Sequence, residues 1–129
     1  MLRNRFRSGF TLIEILIVVV VIGILSAIAI TRFKDTKGKS YAAGLKSDLK
    51  NLSSLQESYF YSNNVYAGSL GALNFNSTDG VEVTIGEASS SGWSASATHP
   101  AAWPLTCAVY YGQAAPLSPA ISEGSIRCQ

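Results

Sequence analysis

The sequence predicts an α+β protein: one long N-terminal α-helix, then a small antiparallel β-sheet head closed by a C-terminal disulfide loop. Three observations carry that expectation. An uncharged apolar run covers Ile15 to Thr31, an apolar stripe at helical spacing follows it, and short alternating segments fill the C-terminal part. The 129 residues are 47% hydrophobic and only 14% charged, against a usual charged share of about 25%. That deficit, concentrated in one run, excludes an ordinary soluble protein. A multi-span protein is excluded too, because no second apolar run approaches the length of the first.

Residues 1–9, MLRNRFRSG, are short and basic through Arg3, Arg5 and Arg7, and they end in glycine, which reads as a cleaved targeting leader. Residues 10–33 form the first half of the helix, interrupted by a single acid, Glu14. At ~1.5 Å of rise per residue, the 22 residues from Phe10 to Thr31 reach about 33 Å, enough for a bilayer core of ~30 Å. Residues 34–61 continue the helix in amphipathic form. Tyr41, Leu45, Leu49, Leu52, Leu55 and Tyr59 recur at steps of three and four, while Lys46, Lys50, Ser53 and Glu57 fall on another face.

Residues 62–129 hold the connector and the head. The connector is rich in Ser, Asn and Gly, with Val65, Tyr66, Leu70, Leu73 and Phe75 as apolar anchors and Asp79-Gly80 as a turn. Val81, Val83 and Ile85 alternate with Glu82, Thr84 and Gly86, and Trp93, Ala95 and Ala97 with Ser94, Ser96 and Thr98. Both patterns have the period of half-buried strands. Residues 105–112 supply a third strand and 124–128 a short fourth, joined as an antiparallel meander. So few residues of strand and loop need the amphipathic half-helix as one wall of their core.

Lys and Arg flank the apolar run on both sides, so the positive-inside rule does not orient it. The only two cysteines, Cys107 and Cys128, break the tie. An isolated pair in a small head suggests a disulfide, which puts the head outside the reducing cytosol; two unrelated free thiols are the alternative.

The segment Gly9-Phe10-Thr11-Leu12-Ile13-Glu14 resembles the signature of type IV prepilins and their relatives. The likeness covers roughly the first fifty residues, and the plan of one long helix before a small disulfide-closed sheet resembles pilins less specifically. It implies that a membrane prepilin peptidase cuts between Gly9 and Phe10, and that the new Phe10 amine is N-methylated. It further implies that the Glu14 carboxylate neutralises the amine of a neighbouring copy and sets register in a homo-oligomeric helical filament. An acid in hydrocarbon is costly and rarely kept without a partner. The bland alternative is that Glu14 sits near the headgroups, favoured by the helix N-terminal dipole. Where pilins commonly carry proline this chain has Thr31, so a proline-induced kink is not expected, and Gly23 remains as a weak point.

The expected protein is thus a structural filament subunit. It is held in the inner membrane as a single-pass precursor with its N-terminus inside, then moved by pilus assembly machinery into a surface filament. A pseudopilin of a type II secretion system is the alternative within the family. From another class, an ordinary secretory signal with Ala27-Ile28-Ala29 as its cleavage site would release a secreted or singly anchored binding domain.

No enzymatic constellation is visible. His99 is the only histidine, and with both cysteines better used as a bridge a metal site has too few ligands. No GxSxG elbow or phosphate loop occurs, and no cofactor is expected. Asp79, Glu82 and Glu87 read as a solvated strand face, and Trp93, Trp103, Tyr110 and Tyr111 as packing residues. The bases Arg32, Lys34, Lys37, Lys39, Lys46 and Lys50 could meet phosphate on lipid or nucleic acid. They read more simply as a solvated helix face or as partners for acids on adjacent subunits.

Overall fold

The computed structural model describes residues 9–102 and 105–129; the expected leader residues Arg3, Arg5 and Arg7 and the packing residue Trp103 lie outside them, as do the side chains of Thr31, Lys34 and Asp35. One helix, α1 (Leu12–Asn63), contains both the apolar and the amphipathic segments, and the chain divides into two compact units, one ending at Thr36 and one starting at Lys37. The helix starts two residues later than the apolar pattern suggests, because Thr11 caps it. At the other end Asn64 takes a left-handed conformation (φ 55°) and donates its N–H to the Phe60 carbonyl at 2.8 Å. Asparagine tolerates that conformation, and the helix closes there.

In the first unit Leu12–Ile30 has a mean hydropathy of 3.0 and is 0% buried. No side chain of the described unit covers it, so its apolar surface is left for lipid or for protein.

The second unit is the expected meander. Strands β1 (Glu82–Ala88), β2 (Gly92–Thr98), β3 (Thr106–Gly112) and β4 (Arg127–Cys128) pair antiparallel in the order β1-β2-β3-β4. The fourth strand is shorter than the 124–128 expected. Gly124 has φ 70° and Ser125 donates its N–H to the Ser122 carbonyl, so those residues turn before pairing can begin. In the β1–β2 hairpin the Ser89 hydroxyl accepts the N–H groups of Ser91 and Gly92. Gly92 must be glycine, because a Cβ there would collide with the Tyr111 carbonyl.

Leu45, Leu49 and Leu52 on α1 are fully buried against Val81, Val83, Trp93, Ala95, Ala97, Cys107 and Val109. The helical stripe and the strand alternation therefore meet as predicted, with Leu55, Tyr59, Leu105 and Tyr111 packed at the margins. A bulge between Ile85 and Glu87 inserts one residue, Gly86, and moves the inward position from residue 87 to Ala88. That is why Ile85 and Ala88, three apart, both touch the core.

Two expectations need correction. Val65 is not an anchor: it is 38% exposed, while Tyr66, Leu70, Leu73 and Phe75 pack as expected. The polar face of β2 is not solvated throughout either. Ser94 is 3% exposed and its hydroxyl accepts the Glu87 N–H, while Ala108, Ala114 and Ala120 are buried. The loop after β3 covers this face, with Leu117 beside Gly86 and the Ala115 N–H donated to the Glu87 carboxylate at 3.1 Å. Alternation describes one covered face, and here the second is partly covered too.

Among the described residues of α1, Asp48 and Gln56 are buried polar side chains. Asp48 is 6% exposed and accepts both the Thr78 N–H (2.7 Å) and the Thr78 hydroxyl (2.8 Å). Gln56 is fully buried, accepting the Ala67 N–H at 2.8 Å and donating to the Ala67 carbonyl at 2.9 Å. Together they fix the irregular connector to the helix, since buried backbone groups need partners. Gln56→Leu keeps the volume but orphans both groups of buried Ala67. It is expected to cost about 2–4 kcal/mol, read as a lowered unfolding midpoint of the purified chain in detergent; an unchanged midpoint would show the clasp to be dispensable.

Candidate assembly site at the start of the apolar helix

Gly9, Phe10, Thr11 and Glu14 are all exposed, and Phe10 is 82% accessible. Thr11 precedes the first helical residue, and Glu14 occupies the third position of the helix. The Glu14 carboxylate accepts the Thr11 N–H (2.7 Å) and the Thr11 hydroxyl (2.9 Å), and the Thr11 hydroxyl oxygen accepts the Glu14 N–H at 3.3 Å. This is a reciprocal capping box, which satisfies two of the donors that every helix start leaves open. Its signal, Thr-x-x-Glu before an apolar run, stands in the sequence, although reading Glu14 as a pairing charge or a dipole-favoured acid passes over it.

The box accounts for how an acid is tolerated at the edge of an apolar span. One carboxylate oxygen takes both Thr11 donors, and the other has no partner among the described residues. The carboxylate thus holds the helix start through one of its two oxygens. A shallow apolar hollow of about 450 Å³ lies beside it, lined by Phe10, Thr11, Leu12, Ile15, Leu16 and Val19.

The remaining sequence-predicted sites lie in the second unit. Cys107 and Cys128 form a disulfide with a Cα separation of 4.0 Å. They face each other across β3 and β4, one residue from the Thr106–Gln129 pair, whose N–H and carbonyl groups bond reciprocally at 2.9 Å. The cysteines therefore occupy a non-hydrogen-bonded pair, the antiparallel position where side chains come closest.

His99 accepts the Ala101 N–H on Nδ1 at 3.0 Å and stacks on Tyr41, with ring centroids 4.4 Å apart. Its ring covers Gly80, whose φ of 77° and lack of a side chain make that approach possible. Trp93 is fully buried in a row of rings, between Tyr66 at 6.4 Å and Tyr111 at 5.2 Å, with Phe60 stacked on Tyr66. Partial burial, followed by the charge of Glu57, which accepts the Tyr66 hydroxyl at 3.2 Å, holds the Tyr66 phenol above its ordinary pKa. These rings pack; among the described residues no three His, Cys, Asp or Glu side chains are placed to hold a metal.

The described chain thus combines an uncovered apolar helical segment, with a capped acid at its start, and an α+β unit stapled by one disulfide. Residues 4–30 match the prokaryotic N-terminal methylation motif. The chain is 42% identical over 73 residues to the type IV major pilin protein PilA of Myxococcus xanthus, covering 57% of this chain and 32% of that one. It is 34% identical over 65 residues to the type II secretion system core protein G of Pseudomonas aeruginosa, covering 50% and 46% of the two chains. A fimbrial protein of Pseudomonas aeruginosa is 42% identical over 54 residues, covering 42% and 35%. The chain thus spans less than half the length of each of these curated relatives. Through the methylation motif and these likenesses, its N-terminal part is similar to type IV pilins and to a type II secretion system core protein.

Proposed function

We propose that this chain is a structural subunit of a type IV pilus-like filament, stored in the inner membrane and assembled through its N-terminal helix. The observation that carries the reading is the Leu12–Ile30 segment, uncharged beyond Glu14 and wholly uncovered. In the membrane that surface meets lipid. In the filament the same surface meets copies of itself, so transfer exchanges one apolar environment for another. Residues 1–9 are the leader, 10–33 the membrane and filament-core half-helix, 34–61 the amphipathic half-helix, and 62–129 the connector and head.

A prepilin peptidase cuts between Gly9 and Phe10, and the Phe10 amine is methylated. Cleavage places a cation beside the Thr11–Glu14 box, where the free carboxylate oxygen of one copy can take the amine of the next. With its N-terminus inside, the head faces the oxidising side, consistent with the Cys107–Cys128 bridge. The role is structural rather than enzymatic.

A pseudopilin role in type II secretion is the second reading, favoured by the protein G relatives, of which a further one comes from Aeromonas hydrophila. Deleting the gene discriminates: loss of surface filaments supports the pilus, and loss of exported proteins with filaments intact supports the pseudopilin. Mass analysis of the mature chain tests the common ground. A methylated Phe10 start supports assembly, and an Ile30 start would instead identify a secreted domain cut after Ala29.

Gly9→Val is expected to leave an uncut membrane precursor, because a branched side chain obstructs the scissile bond. A Cβ added at Gly9 would meet nothing within 4 Å, so the substitution is sterically free in the folded chain itself. A mature-length product from this variant would refute the cleavage assignment.

A further inference from the structure

Charge in the second unit is sorted along the chain. From Lys37 to Lys50 the bases are Lys37, Lys39, Lys46 and Lys50, with Asp48 the one acid; from Asn51 onward Arg127 stands against Glu57, Asp79, Glu82, Glu87 and Glu123. Lys39, Lys46 and Lys50 are exposed, and at 100° per residue they fall within about 40° of one another on α1. None of the three has an ion-pair partner among the described residues. Asp79 and Glu82 are likewise exposed and unpartnered there, at the turn that opens β1. Val81 and Val83 are buried on the helix side, so Glu82 projects from the opposite face. The other acids differ: Asp48, Glu57, Glu87 and Glu123 each accept a hydrogen bond within the unit.

We propose that the Lys39–Lys46–Lys50 stripe docks the Asp79–Glu82 corner of a second copy of this chain. The two surfaces are complementary in sign, and in a filament built by repeated addition the contact is heterologous. One copy offers its corner to the next and its stripe to the one before, the head-to-tail arrangement that the filament reading requires. The alternative ligand, a phosphate polymer, is poorly served by three lysines, which neutralise only about three phosphates and bind weakly at physiological salt. The matching acids on the same chain make the second copy the better partner. The proposal rests on the filament reading and names the subunit contact within it.

Reversing charge on either surface tests it. Lys46→Glu with Lys50→Glu, and separately Asp79→Lys with Glu82→Lys, are expected to lower sheared surface filaments at least tenfold, with the processed membrane pool unchanged. The four substitutions together are expected to restore at least half of the wild-type yield. Unchanged filaments after either reversal overturn the docking, as does a combined variant no better than its parents. Crosslinking in native membranes separates this from the filament reading. Copies carrying Lys46→Cys and copies carrying Glu82→Cys, treated together with a short bis-maleimide, are expected to give dimers that raised salt diminishes. If the wild-type chain forms no filaments, the proposed function fails; the 46–82 dimer then upholds the contact, and its absence overturns it.

Discussion

Glu14→Val, expressed as the sole copy, is expected to reach the membrane in normal amount yet yield at least a hundredfold fewer filaments. Removing the only acid from the start of the span makes insertion no harder, since charge is what hydrocarbon disfavours. Assembly is another matter, because the Phe10 amine of an incoming subunit then meets no carboxylate. Valine also removes the acceptor of the Thr11 N–H and hydroxyl, so by itself it does not distinguish a lost charge from a frayed helix start. Glu14→Gln does. The glutamine oxygen can still accept from Thr11, since the box works with Glu or Gln, but it carries no charge.

If pairing with a neighbour's amine is the essential role, the glutamine variant fails as badly as the valine one. If capping is the essential role, glutamine restores assembly, and Thr11→Val reproduces the loss. The measurement is filament protein sheared from cells, against the membrane-held pool. Abundant filaments from Glu14→Val would end both roles and return Glu14 to a bland place near the headgroups.

Much of this architecture can be read from residue patterns because single periodicities dominate it. Leu45, Leu49 and Leu52 are buried because they share one helical face, and Trp93, Ala95 and Ala97 because they share one strand face. Alternation along β3 points Cys107 with Leu105, Val109 and Tyr111, and all four join the core. Legibility fails where a partner comes from irregular chain. Asp48 and Gln56 look like polar surface, yet Thr78 and Ala67 arrive from the connector and draw them inside. Ser94 is buried because the loop after β3 folds over it, which no alternation within β2 announces. The capping box is a different case: Thr11-x-x-Glu14 is a local signal, visible without any tertiary contact.

Replacing both Cys107 and Cys128 by serine is expected to lower the thermal midpoint of the purified chain by more than about 10 °C. The bridge closes a loop with a sequence separation of 21, for which the chain-entropy model gives roughly 3 kcal/mol. In a unit of this size each kcal/mol moves the midpoint by roughly 4–8 °C. The loss is large because β4 is only Arg127–Cys128 and β3 pairs with it over two residue pairs. Without the bridge the last strand has little to hold it, and the turn at Ser122–Ser125 loses its far anchor. Packing adds to the effect, since Cys107 is fully buried and serine would leave a hydroxyl among apolar side chains. Cys107→Ala with Cys128→Ala removes that second penalty, so the difference between the two double variants isolates it. Cleavage at Gly9 is expected to proceed normally in both, while filament abundance falls with head stability. Alkylation of the native chain without reductant decides the premise. An unmodified mass confirms the bridge and an oxidising location for the head, whereas two alkylated thiols would remove the stabilisation and the orientation drawn from it.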